Sequence, residues 1–122
     1  NVREPAFQAL VAGSVGLIYP SCAEGQSGAV VTCLRAGLIP IVSHESGVDV
    51  GDFGFELRDC SVEEIKRRVT AVSQLPEDAL SGMSMRAWEH GNRVHGKAHY
   101  METFGQMIRQ IEAERGAPAR QR

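Results

Sequence analysis

Val15-Gly16-Leu17-Ile18-Tyr19-Pro20-Ser21-Cys22-Ala23-Glu24-Gly25-Gln26-Ser27-Gly28-Ala29-Val30-Val31 decides the fold. Its first five residues are almost wholly apolar, with β-branched and aromatic side chains. Such a run reads as a strand covered on both faces, the mark of a parallel sheet. Pro20 stops it, and a loop follows from Ser21 to Gln26. Small residues then predict a helix from about Ser27 to Ala36, closed by Gly37. Ile39-Pro40-Ile41-Val42 is a second apolar strand. Its proline lacks a backbone donor, so Pro40 is expected near the strand's start or on a sheet edge.

Working outward, Phe7, Leu10 and Val11 place apolar groups at helical spacing between Glu4 and Ala12. Phe53 to Leu57 is a weak third strand. Ser61-Val62-Glu63-Glu64 has the form of a capping box: the Ser61 hydroxyl accepts the third amide of the helix and Glu64 reaches back. Val62, Ile65, Val69 and Val72 give that helix an apolar stripe. Pro76 suits the opening of the next helix, which should turn Leu80, Met83, Ala87 and Trp88 inward. Tyr100, Phe104, Met107, Ile108 and Ile111 mark a packing face on a last helix. The tail from Gly116 to Arg122 should fray. Short buried strands alternating with helices predict an α/β layered domain, a partial Rossmann-like unit with a short parallel sheet of about three strands.

The chain has 122 residues, a formal charge of −2 and 43% hydrophobic residues. That is one modest domain with no basic footprint for nucleic acid. No apolar run approaches the length of a membrane span, and no signal peptide is legible. Cys22, Cys33 and Cys60 are an odd set without metal-ligand spacing. They favour free thiols and a cytoplasmic setting.

The loop after the first strand is where open parallel sheets bind ligands. Gly25 and Gly28 admit close approach to the backbone, Ser27 adds a hydroxyl, and Glu24 supplies a carboxylate for sugar hydroxyls. The amides that open the following helix suit phosphate. The competing reading is structural: Ser27 caps the helix and Glu24 is a solvated loop residue. His44 and Glu45 are adjacent loop residues, which generally point apart, so they make a poor acid–base pair. His95 and His99 have a spacing that metal sites use, but no Glu follows His95, and solvated helix positions explain them better.

Pro20-Ser21-Cys22-Ala23-Glu24-Gly25, the small-residue helix, and Ala36-Gly37-Leu38-Ile39-Pro40-Ile41-Val42-Ser43 resemble the donor-site segment of group 1 GT-B glycosyltransferases. The resemblance covers about residues 5 to 75. It implies a retaining enzyme of two Rossmann-like domains, of which residues 1–115 would be part of the C-terminal, nucleotide-sugar-binding one. It makes Glu24 the first Glu of an E-x7-E element that orients the donor sugar. Gly25, Gln26, Ser27 and Gly28 would lie by the sugar and diphosphate. The second Glu, which in the family holds the ribose, falls on Thr32, whose hydroxyl bonds a ribose less strongly than a carboxylate.

Nothing in these residues requires a metal, and the resemblance makes the nucleotide sugar a substrate rather than a cofactor. It also implies about six parallel strands, more than this chain supplies. The chain alone is therefore expected not to catalyse transfer. Its partner is expected to be a second copy, or a preceding part of the enzyme. A non-catalytic α/β interaction module derived from the same fold is the alternative.

Overall fold

The computed structural model describes residues 3–116. The order is α1 (Pro5–Ala12), β1 (Gly16–Tyr19), α2 (Gly28–Leu34), β2 (Ile39–Ser43), a 3-10 turn (His44–Ser46), β3 (Phe55–Leu57), α3 (Val62–Ser73), α4 (Glu77–Val94) and α5 (Lys97–Gly116). The three strands form one parallel sheet in the order β1-β2-β3. The two apolar runs pair as the sequence predicts, Gly16 with Ile39 and Tyr19 with Val42, and α2 lies between them in the chain. Most of the tail expected to fray lies outside the described residues.

All five residues of β2 are buried. On one face Val42 joins Val30 and Leu34 of α2, Ala87 of α4, and Val48, Val50 and Phe53 from the loop before β3. On the other, Ile41 packs with Leu57 and with Val72 of α3. Helices α2 and α4 approach closely: a side chain at Gly91 would meet the Arg35 amide and the Leu34 carbonyl carbon at 3.0 and 3.1 Å. The Ser84 hydroxyl ties α4 to the turn that follows α2 by donating to the Gly37 carbonyl at 2.7 Å.

Pro40 is near the start of its strand, as expected, but that strand is central. The Ile39 amide donates to the Val15 carbonyl on the β1 side, so alternation turns the Pro40 nitrogen toward β3. There β3 has not yet begun, since its first partner residue is Phe55 opposite Ile41. Gly54 fills the position instead. A Cβ on Gly54 would fall 2.7 Å from the Pro40 carbonyl oxygen and 2.5 Å from its ring Cγ.

Helix α3 departs from the expected capping box in one half. The Ser61 hydroxyl accepts from the Glu64 amide at 3.1 Å, as predicted. The Glu64 carboxylate, however, passes over Ser61 and accepts from the amides of Arg58, Asp59 and Cys60 at 2.9 to 3.0 Å. The Ser61 amide is taken by Asp59 Oδ1 instead, at 2.8 Å. Cys60 has a φ of 54°, and this left-handed turn lines up three successive amides as an anion-binding concavity. Glu64 is accordingly buried, while Val62 and Val69 of the expected stripe are exposed. Trp88 is also exposed, because α4 buries Met83, Ala87 and Gly91, a row of every fourth residue that turns Trp88 aside. The face of α5 is exposed throughout rather than packed.

Two measurements test this account. Gly54→Ala should lower stability by about 1–3 kcal/mol in urea unfolding, the usual cost of overpacking, since the Pro40 backbone cannot yield. For Glu64, bonds from the Arg58 and Asp59 amides lead the causes that hold its carboxyl below the usual range. A depressed folded-state value contributes stability above the unfolded value, about 4.3, and loses it as pH falls through the folded one. The gap in unfolding midpoint between this chain and Glu64→Gln should therefore be widest near neutral pH and close in acid.

Candidate functional site

The carboxyl ends of β1 and β2 open onto two loops, Pro20–Gln26 and the turn His44–Gly47, which are bound to each other. The Ser27 amide donates to the Ser46 carbonyl at 2.9 Å. The Ser43 hydroxyl donates to the Ser21 carbonyl at 2.6 Å. Gly47 has a φ of 66° and lies so close that a Cβ there would run into the Gly25 carbonyl. Ser27 is buried and its hydroxyl caps α2, accepting from the Val30 amide at 3.5 Å.

Glu24 is exposed but not loose. The Tyr19 hydroxyl, at the last residue of β1, donates to Glu24 Oε1 at 2.7 Å. The sequence signal for this partner is a tyrosine that ends an apolar strand, where a polar tip needs an acceptor. The other carboxylate oxygen has no hydrogen-bond partner among the described residues. Gly25 and Gly28 differ from Gly47. A Cβ added to either would meet nothing within 4 Å, and neither needs a positive φ. The packing of the chain itself therefore gives no reason for glycine at these two positions.

The remaining candidates are spread over the neighbouring surface. Gln26 faces a recess of about 340 Å³ shared with Val31, His95, His99 and Tyr100. Thr32 stands one turn beyond Gly28 and donates its hydroxyl to the Gly28 carbonyl at 2.8 Å. It lines a larger groove of about 880 Å³ between α1, α2 and α4, to which Glu24 to Gly28 contribute nothing. That groove is walled by Val15 and Ile39, at the amino ends of the strands. Ligands of open parallel sheets bind at the opposite ends, so volume alone does not make it the site.

His44 lies 3.6 Å from Glu56, not against Glu45. His95 caps α4 and α5 starts only at Lys97, so His95 and His99 do not share a helix. Nor is His95 solvated: its Nε2 is buried without a hydrogen-bond partner among the described residues. Burial, with His90 and His99 adding to it, lowers its pKa. Among the described residues no three metal-ligating side chains converge, and no helix is long and apolar enough to cross a membrane. Cys33 is buried, and burial pushes its thiol pKa up, as a core thiol requires.

Comparisons with protein-family models, with curated proteins and with solved structures return no match. Substitutions separate the two kinds of glycine directly. Gly47→Ala should lower the unfolding free energy by about 1 kcal/mol or more, because it is strained and obstructed. Gly28→Ala should leave it unchanged or raise it by about 0.4–1 kcal/mol, because the new methyl group enters open space at a permitted conformation.

Proposed function

We propose that this chain binds a nucleotide sugar at the carboxyl end of β1, as the donor-binding part of a retaining glycosyltransferase that passes a sugar to a hydroxyl acceptor. The observation that carries the reading is the pair of sterically unneeded glycines, Gly25 and Gly28, beside a carboxylate that Tyr19 holds in place. Bare backbone lets a diphosphate approach the loop amides closely. Glu24 keeps one oxygen for the hydroxyls of the donor sugar, which it orients rather than attacks. The parallel β1-α2-β2 unit puts this loop where such folds take their ligands. Free thiols suit a cytoplasmic setting for the same activity. A non-catalytic interaction module is favoured by one observation: the Thr32 hydroxyl is already donated within α2, leaving it only as an acceptor for a ribose.

Titration with UDP- and GDP-sugars, followed through amide NMR shifts, decides between them. Binding should move Glu24 to Gly28 and Thr32. Tyr19→Phe should weaken it roughly two- to tenfold, the worth of one hydrogen bond. Saturating shifts confined to residues after 76 exclude this placement. No shifts at saturating sugar nucleotide favour the interaction module.

A further inference from the structure

Helix α5 has twenty residues, a rod about 30 Å long, and it meets the rest of the chain chiefly through α4. None of its described side chains is buried. Tyr100, Phe104, Met107 and Ile111 recur at spacings of four, three and four, the alternation of a coiled-coil seam. Met101 and Ile108 widen the seam on one side, and all six are between 38% and 63% exposed. The rings of Tyr100 and Phe104 stack with centroids 5.9 Å apart, which orders that end of the stripe.

The charges that close the seam identify what covers it. Continuing the same alternation brings Lys97 to its amino end and Glu114 to its carboxyl end. Both are in the wrong place for an isolated helix, whose dipole favours acidic residues at the start and basic ones at the finish. Laid antiparallel against a second α5 about a twofold axis, the seam matches itself. Phe104 meets the second copy's Met107, Tyr100 meets its Ile111, and Lys97 meets its Glu114, with each contact made twice. Each misplaced charge then lies beside the end of the other helix that its sign suits. A parallel pairing would set lysine on lysine and glutamate on glutamate.

We propose that α5 is the docking face for a second copy of this chain, in an antiparallel helix pair. This goes beyond the donor-site reading and does not rest on it.

Sedimentation equilibrium of the whole chain at tens of micromolar tests it. The chain should be a dimer, and Met107→Glu should make it a monomer. Lys97→Glu and Glu114→Lys should each weaken the dimer roughly three- to tenfold, by turning two exposed ion pairs into repulsions. Each of these changes improves the dipole of its own helix, so circular dichroism should show α5 intact and the loss cannot come from melting. The double variant K97E/E114K should recover the dimer. A monomeric parent chain, a dimer indifferent to Met107→Glu, or a double variant no better than the singles would overturn the proposal. So would a dimer that survives these changes and is lost on Ile18→Lys, which would place the contact at the edge of β1.

Discussion

The burial of β2 is the constraint on which the rest depends. A central parallel strand has no face left for water, and its neighbours must be reached through crossovers long enough to cover it. Here α2 and α4 cover one face and α3 the other. The proline in that strand is tolerated because its missing donor points where β3 has not started. The same geometry requires Gly54 beside it. One backbone fact thus sets a residue fourteen positions away in the chain.

At the carboxyl end of the sheet, the two loops are joined by backbone and hydroxyl bonds rather than by apolar packing. The Ser27–Ser46 and Ser43–Ser21 bonds and the close approach of Gly47 to Gly25 hold the first loop against the second. A loop braced in this way can present Glu24 and bare backbone without a hydrophobic anchor of its own. Tyr19 serves both layers. Its ring packs beside the core formed by Val30, Leu34 and Val42, and its hydroxyl steadies the carboxylate above it.

At the periphery the chain leaves much apolar surface uncovered. Leu10, Val15, Ile18, Val62 and Trp88 are exposed, as is the seam of α5. Scattered residues of this kind are ordinary on a small domain, but a continuous seam on a protruding helix is a surface that associates. The charge pattern along α5 distinguishes it from the others, because only there do both ends of the stripe carry groups that an isolated helix disfavours.

Much of this architecture was legible in the residues themselves. Apolar runs at 15–19 and 39–42, with a small-residue helix between them, leave parallel pairing as the simplest solution, and the pairs Gly16–Ile39 and Tyr19–Val42 realise it. But only β2 is covered on both faces, whereas the first run, expected to be buried, lies at the sheet's edge with Val15 and Ile18 exposed. The Ser61 cap and the core position of Cys33 were equally local, since each depends on neighbours within a turn or on simple apolarity. What the sequence could not carry was direction in space. Glu64 was expected to reach Ser61 and instead serves three earlier amides, because the left-handed turn at Cys60 aims them at it. Val62, Val69 and Trp88 sit at apolar positions of their helices yet face solvent, because which side of a helix is covered depends on how it packs against the rest of the fold. The seam of α5 has the spacing of a packing face, yet in the folded chain none of its described residues is buried. At the candidate site, Glu24, Gly25 and Gly28 could be named from the strand–loop–helix pattern. Their tie to Tyr19, and the contrast with Gly47, depend on contacts that only the folded chain creates.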